Sequence, residues 1–249
     1  MFKKISTKNI RLEDLLTIFQ QEKNINRLNT NNQSVLFYPT VLKYPKAVKF
    51  IIEKGIDINQ RDNEELSALE IAISYGYKKT VELLLKKGAI IKFSNGYTTL
   101  ILSVISNNIE LINFFINSKN INQADNDGWT PLFWAIQYEN VQVINLLLKE
   151  GANPNSVDND SRTPIFGVCG NGNKKIFDIL IKKGTITTIE DFQKTTPLKL
   201  AISYGHYSIV SALLALGTKI NKEEDEEGKT LLDYAKPYKG IYMLLLTQW

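Results

Sequence analysis

Residues 125–155 contain the stretch that determines the fold, DNDGWTPLFWAIQYENVQVINLLLKEGANPN. Its Thr-Pro-Leu tripeptide begins at residue 130, and Thr-Pro-Ile and Thr-Pro-Leu follow at 163 and 196, two steps of 33 residues. A glycine stands 21 residues after each of these threonines, preceded by an apolar run such as the LLLKE before Gly151. Fixed spacing of this kind indicates a tandem repeat rather than a single motif.

Weaker copies of the unit extend the repeat over most of the chain. They begin at residues 34, 67, 98 and 230, which makes seven starts together with those at 130, 163 and 196. A helical segment at 10–22, IRLEDLLTIFQQE, precedes the first of them. The unit from residue 34 has Pro39 inside its first helix, and we expect this proline to shorten that helix.

Each recurring residue has a physical reason. The threonine supplies a side-chain oxygen that caps a helix, and proline follows at the first helical position, where its missing N–H costs nothing. In the unit from residue 130, Leu132, Ala135 and Ile136 fall on one face of a short helix. Gly151 stands where a left-handed helix cap is needed, and Gly128 where the connecting hairpin turns. One unit cannot bury its apolar face alone, so the pattern predicts stacked units.

The repeat resembles that of the ankyrin family, whose 33-residue unit carries TPLHxA, a mid-unit Gly and LLxxGAxxN. The best matches are TPLFWAIQYENVQVINLLLKEGANPN from residue 130 and TPLKLAISYGHYSIVSALLALGTKIN from residue 196. The resemblance implies an all-α ankyrin-repeat solenoid of stacked helix-turn-helix units joined by β-hairpin-like loops. It divides the chain into an N-terminal capping helix and partial repeat (1–33), six repeats (34–229) and a C-terminal capping repeat (230–249).

Composition excludes several classes of protein. The net charge is +4, from 30 basic and 26 acidic residues that are mixed along the chain, so no basic stripe predicts a nucleic-acid partner. No window approaches eighteen apolar residues, and the N-terminus does not match a secretory signal. We therefore expect no membrane partner and a cytoplasmic monomer, or a protein delivered into a host cell without a classical signal peptide. One cysteine and one histidine leave no disulfide framework and no metal site, and no cofactor is expected.

Catalytic chemistry is not expected. Cys169 lies in FGVCGNGNKK, but its place in the repeat matches Ile136 and Ile202 on the apolar face, where cysteine acts as a small hydrophobe. His206 stands between the two helices of its unit, where ankyrin units commonly carry Gly-His. The sequence therefore predicts that the protein is not an enzyme, with an enzyme of unknown class as the outside alternative.

Partner binding is the function that the resemblance implies. Ankyrin proteins bind partners at their hairpin tips and on the concave face of the first helices, and the residues of this chain at those places are the candidates. They are Trp129, Tyr138, Asn126, Asp127, Gln137, Arg162, Gly170, Asn171, Tyr204 and Tyr75.

Three details of this surface are expectations. Trp129 is expected to be largely exposed, whereas Trp134 could pack in the core or face the groove. Gly167 and Gly170 are expected to leave a gap in the groove. Counting nine places from the repeat start puts Tyr238 in a column with Tyr75, Tyr138 and Tyr204, which is either a binding ladder or a common ankyrin filler.

The biological role stays open among several alternatives. The protein is predicted to bind another protein without catalysis, as a simple binder, as an inhibitor or immunity-type protein that blocks a toxin or enzyme, or as a bacterial effector or adaptor acting on a host protein. The acidic run KEEDEE at 222–227 is expected to be solvated, and contact with a basic partner is the other interpretation.

Overall fold

A computed structural model describes residues 10–22, 24–91 and 96–248 of the 249-residue chain. The regular elements in these ranges are helices, and the extended pairing recorded there is a single antiparallel bridge between Arg61 and Ser67. The all-α prediction is confirmed. Contacts divide the chain into two compact units, residues 1–115 and 116–249.

The described residues of the first unit form an N-terminal helix followed by three helix pairs. Its helices are α1 (Leu12–Gln21), α2 (Phe37–Val41), α3 (Pro45–Glu53), α4 (Ala68–Ser74), α5 (Lys78–Lys86), α6 (Thr99–Ile105) and α7 (Ile109–Phe115). The first helices α2, α4 and α6 pack in succession, and α1 packs on the second helix α3 as a second helix would. As expected, α2 is short, with five residues and Pro39 buried inside it.

The second unit contains four helix pairs. Its helices are α8 (Pro131–Gln137), α9 (Val141–Lys149), α10 (Pro164–Asn171), α11 (Lys174–Lys182), α12 (Pro197–Ser203), α13 (Tyr207–Ala215), α14 (Leu231–Ala235) and α15 (Lys239–Leu246). The first helices α8, α10, α12 and α14 pack in succession. Leu132, Ala135 and Ile136 are buried, as their spacing predicts, because this face of α8 meets its own second helix and the next repeat.

Side-chain capping holds in some repeats and fails in two. Ser67, Thr98, Thr196 and Thr230 accept a hydrogen bond from the third helical N–H. The hydroxyls of Thr130 and Thr163 accept none and are buried without a hydrogen-bond partner, so the capping prediction is wrong there. At the start of α10 the N–H of Phe166 instead donates to the carbonyl of Thr163 at 3.0 Å.

Glycines in the turns between paired helices make room for the following repeat. Gly172 has φ +79°, and a Cβ atom there would come within 2.4 Å of the ring of His206. Gly205 stands one repeat later, where a Cβ would come within 2.4 Å of the ring of Tyr238. His206 and Tyr238 each begin a second helix and reach back over the preceding turn. These turns therefore require glycine for space as well as for backbone conformation.

We expect Gly172→Ala to destabilise the protein by about 1–3 kcal/mol more than Gly184→Ala, because only the first substitution collides with a ring. Gly184 is a matched control, since it has the same φ of +79° and a Cβ atom there would have no neighbour within 4 Å. Urea unfolding of the two variants measures the difference in free energy. Equal losses in both variants would contradict the steric explanation, whereas relief of the excess by His206→Ala would support it.

Candidate protein-binding surface

Five hairpin loops that lead into a first helix are each closed by one aspartate, and the loop before α2 is closed by Asn29. We call Asp62, Asp125, Asp158, Asp191 and Asp225 the hairpin aspartates; each stands five residues before a repeat start. In the loop 125–129, Oδ1 of Asp125 accepts the N–H groups of Asp127 and Trp129 at 3.1 and 2.9 Å. The same pair of bonds recurs in the other four loops. A charged acceptor thus fixes the loop backbone.

The second carboxylate oxygen of a hairpin aspartate anchors side chains. Oδ2 of Asp125 accepts the indole N–H of Trp134 at 2.8 Å, and Oδ2 of Asp191 accepts Nε–H of Arg162 at 2.9 Å. Trp134 lies on the first helix that directly follows its aspartate's loop, whereas Arg162 lies in the preceding hairpin loop. The aspartates therefore connect hairpin loops with first helices and with neighbouring repeats.

Four aromatic rings follow one another along the start of the second unit. We call Trp129, Phe133, Trp134 and Tyr138 the aromatic cluster. Trp129 stacks on Phe133 with ring centroids 5.8 Å apart and packs at a tilt against Trp134 at 5.1 Å. Trp134 in turn stacks on Tyr138 at 6.1 Å. The rings are exposed to different degrees, because Phe133 is buried, the two tryptophans are half-buried and Tyr138 is 54% exposed.

The structure corrects the expectation for Trp129 and decides the position of Trp134, which the sequence left open. Trp129 is half-buried between Phe133 and Trp134, so the prediction that it is largely exposed is wrong. The hairpin loop turns its last residue toward α8 because Asp125 holds the Trp129 N–H. The position of Trp134 is now defined, since its indole N–H points to Asp125 and its ring joins the cluster rather than the fully buried core.

Gly170 and Tyr204 are brought together through His206. The Nε2 atom of His206 lies 2.8 Å from the carbonyl oxygen of Gly170, and the ring of Tyr204 stacks on the imidazole with centroids 6.2 Å apart. These two contacts give His206 a structural role, as the sequence predicts. Tyr204 is 60% exposed, and Asn171 beside Gly170 is exposed as well.

Gly167 does not contribute to the expected gap. A Cβ atom at this position would lie 3.3 Å from Cγ2 of Ile136, which is a core residue of the preceding repeat. Gly167 therefore serves the close packing of α10 on α8. At Gly170 a Cβ atom would meet Leu200 at an ordinary 3.7 Å, so a Cβ atom there is tolerated.

Tyr238 does not belong to the tyrosine column. The last first helix, α14, has five residues, and Tyr238 caps the second helix α15 instead of ending the first helix. Its hydroxyl donates to the carbonyl of Ser203 at 3.1 Å, as His206 bonds to Gly170 one repeat earlier. Counting from Thr230 gave the wrong alignment because α14 has five residues, whereas α12, the first helix of the preceding repeat, has seven.

The remaining candidates lie on or near the hairpin tips. Asn126, Asp127 and Gln137 are exposed, and the Asn126 carbonyl accepts the side-chain amide of Asn159 at 2.8 Å. Arg162 pairs with Asp160 at 3.7 Å in addition to its bond with Asp191. Tyr75 lies in the first unit, where it is 59% exposed and stacks on Tyr77.

Phe192 is a feature that the sequence reasoning missed. It follows the hairpin aspartate Asp191 and is 75% exposed. Its position in the repeat could have revealed it, because the corresponding residues of the other hairpin loops are polar. They are Asn63, Asn126, Asn159 and Glu226.

The acidic run 222–227 is exposed for the most part, but Asp225 has a structural role. Its Oδ2 atom accepts Nζ–H of Lys199 at 2.7 Å and the hydroxyl of Tyr234 at 2.6 Å. The Lys199 ammonium, followed by the Tyr234 hydroxyl, lowers the pKa of Asp225 well below its usual value. The expectation that the whole run is simply solvated is therefore wrong at this residue.

The surroundings of Cys169 do not favour a reactive thiol. Cys169 is fully buried on the apolar face of α10, and burial raises the pKa of its thiol, which disfavours the reactive thiolate. No group of His, Cys, Asp and Glu suited to a metal ion occurs in the part of the chain that the structure describes. Across the same residues, no helix has the length and apolar character needed to cross a membrane.

Stacked pairs of short helices, joined by hairpin loops that a carboxylate closes, define a helical tandem-repeat protein. The profile of ankyrin repeats, in three copies, matches residues 5–95, 90–158 and 142–224. The chain belongs to the ankyrin-repeat family. Ankyrin repeats generally mediate binding to other proteins.

Similar proteins include ankyrin repeat proteins from a bacterium and from a virus. One from Borreliella burgdorferi is 30% identical over 56% of this chain and 71% of that protein. One from fowlpox virus is 34% identical over 51% of this chain and 39% of that protein. A second fowlpox virus protein is 27% identical over 48% of this chain and 86% of its own length.

We expect Trp134→Phe to lower the free energy of unfolding by about 1–3 kcal/mol, because it leaves an oxygen of the buried Asp125 carboxylate without its donor. Trp129→Phe is the control, since it also replaces an indole of the cluster with a smaller ring but keeps the backbone bond to Asp125. Chemical denaturation of both variants makes the comparison. A loss in Trp134→Phe no larger than that in Trp129→Phe would argue against the role of the indole N–H.

We expect Asp225→Asn to lower the Tm near neutral pH and to have a smaller effect in acid. Because the folded-state pKa of Asp225 is lowered, its carboxylate stabilises the fold above the unfolded value of 3.8, and this contribution disappears as pH falls through the folded value. Thermal unfolding of wild type and variant on both sides of pH 3.8 tests this. Glu226→Gln removes a neighbouring exposed charge and serves as the control, and a gap that stays constant with pH would contradict the ion pair's role.

Proposed function

We propose that the protein is a non-catalytic binding module that recognises another protein through the first helices and hairpin tips of residues 116–249. The observation that carries this proposal is the aromatic cluster. Its inner rings are fixed by stacking and by Asp125, and its outer ring, Tyr138, is 54% exposed. Exposed tyrosine next to tryptophan is typical of the few residues that dominate protein interfaces.

The order of this cluster favours binding. A partner that covers Tyr138 removes apolar ring surface from water, which is favourable. The ring already stacks on Trp134, and Trp134 is held by its bond to Asp125, so little side-chain freedom remains to be lost on association. Trp129 packs against Phe133 and Trp134, and we assign it a role in both stability and binding.

The surface that we propose extends from Tyr138 toward Tyr204. The turn after α8 is linked to the next repeat, because the carboxylate of Glu139 accepts the side-chain amide of Asn173 at 2.9 Å. Gly170 and Asn171 are at the end of the next first helix, α10. Tyr204 stacks on the His206 that bonds to Gly170. The absence of a side chain at Gly170 would let a partner group approach the backbone between the two tyrosines.

The setting we propose is a reducing compartment such as the cytoplasm, with the protein as a monomer. The one cysteine, Cys169, is buried as a free thiol, which is compatible with that setting. A nucleic-acid partner is disfavoured because carboxylates along the hairpin loops would repel phosphates.

Comparison of two tyrosine variants tests the proposal. Tyr138→Ala should weaken binding of a captured partner by at least ~2 kcal/mol, whereas Tyr207→Ala should leave it unchanged. Tyr207 is a matched control, since it is 51% exposed but lies on the second helix α13. Partners are first captured from source cells with the wild-type chain, identified by mass spectrometry and then titrated by calorimetry.

The outcomes discriminate between the alternatives. Equal affinity of both variants would show that the aromatic cluster is not the binding site. Capture of a toxin or enzyme whose activity the chain inhibits would favour the inhibitor or immunity role, and a host protein would favour the effector or adaptor role. Gly170→Leu, which adds a side chain between the tyrosines, should also release the partner, and circular dichroism verifies that this variant is folded.

A further inference from the structure

Backbone hydrogen bonds join three successive hairpin tips of the second unit. The Asn159 N–H donates to the carbonyl of Asp127 at 3.1 Å, and the Phe192 N–H donates to the carbonyl of Asp160 at 3.1 Å. Each loop backbone is also fixed by its own hairpin aspartate. These three tips are therefore held at defined distances, and with the following loop 225–229 they make up one edge of the unit.

This edge is acidic although the chain as a whole has a net charge of +4. The four hairpin loops 125–129, 158–162, 191–195 and 225–229 contain eight acidic and three basic residues. Two of those three basic residues are paired with carboxylates of the same loops, Arg162 with Asp160 and Asp191, and Lys229 with Glu227. The four second helices of the same unit have the opposite charge, with five basic residues and one acidic residue. Negative charge is thus concentrated on the hairpin edge.

An apolar side chain lies within this acidic edge. Phe192 is 75% exposed, with Asp160 at the preceding tip and Glu226 and Glu227 at the following one. A large exposed apolar group surrounded by charged groups has the arrangement of an interface, where a covered centre lies inside a charged rim. A partner that covers Phe192 must also lie against the carboxylates.

We propose that this edge docks a lysine- and arginine-rich segment of a protein partner, with an apolar side chain of that segment covering Phe192. The inference rests on the proposed protein-binding function and adds the chemistry of the partner. Opposite charges across an interface accelerate association and exclude competitors, whereas a neutral or acidic partner would desolvate or repel the carboxylates. Exposed Tyr138, which is linked to the first of these loops through the rings of Trp134 and Trp129, offers a ring face on which a cationic side chain can lie.

The experiment uses a random 16-residue peptide library displayed on phage, selected on the intact 249-residue chain. The first variant carries Asp127→Asn, Asp160→Asn, Glu226→Gln and Glu227→Gln. The control variant carries Glu53→Gln, Glu82→Gln, Glu110→Gln and Glu150→Gln, which removes the same charge from exposed residues on or directly after second helices. Phe192→Ser and Tyr138→Ala are tested separately, and circular dichroism verifies that each variant is folded.

We expect the wild-type chain to select peptides enriched in Lys and Arg that also contain an apolar residue. Synthetic copies of these peptides should bind the hairpin-tip variant at least ~10-fold more weakly, and bind the control variant as they bind wild type. Phe192→Ser should weaken binding as well, and added salt should weaken wild-type binding toward that of the hairpin-tip variant. If the hairpin-tip variant is not folded, Phe192→Ser and the salt titration provide the test.

Three results would overturn the inference. They are selection of neutral or acidic peptides, equal affinity of the hairpin-tip variant and wild type, and no enrichment on wild type relative to the hairpin-tip variant. The arm with Tyr138→Ala separates this failure from failure of the proposed function. Neutral peptides that require Tyr138 would leave the binding surface standing and remove only its basic partner.

Discussion

The accessible surface of this protein depends on the hydrogen bonds that the hairpin aspartates accept. One carboxylate oxygen accepts two backbone N–H groups of its loop, and the other is free to orient a side chain. Bonds to a charged acceptor are stronger than neutral ones, so five short loops keep one conformation without forming a sheet. Where the side chain is Trp134, the result is an ordered aromatic cluster. Arg162 instead links two successive hairpin loops, and Lys199 links a first helix to the following hairpin loop.

The opposite end of the first helix follows a different rule in some repeats. Where His206 and Tyr238 reach back over the preceding turn, that turn must lack a side chain, as at Gly172 and Gly205. The same turn position carries side chains at Asn107 and Glu139, where φ is also positive. The first helix between the hairpin loop and this turn also varies: Phe133 and Phe166 stand where the ankyrin pattern has histidine, and the hydroxyls of Thr130 and Thr163 remain buried without partners. Each such group costs about 1–3 kcal/mol, which the packing of the stack must offset.

Most of the fold could be predicted from the sequence because its determinants are local and repeated. Helix positions, the left-handed Gly151 and the buried Cys169 follow from spacing alone. Trp129 could not be placed, because its burial depends on a bond to Asp125 and on rings from the following helix. Tyr238 was misaligned because counting from the repeat start assumes a first helix of constant length. The hairpin aspartates were within reach, since residues 125, 158 and 191 recur every 33 residues, but their role needs three dimensions.

Charge in a repeat protein has to be assigned to faces rather than to the whole chain. A position that carries a carboxylate in one hairpin has a counterpart every 33 residues, so residues distant in sequence become neighbours along one edge. Their potentials add along this row, while lysines on the second helices compensate the total charge from a different element of each repeat. The mixture of Lys and Glu along the sequence therefore conceals a separation that stacking creates. Phe192 gains its significance in the same way, because an isolated exposed phenylalanine is ordinary, whereas one inside an ordered acidic row defines a place for a partner.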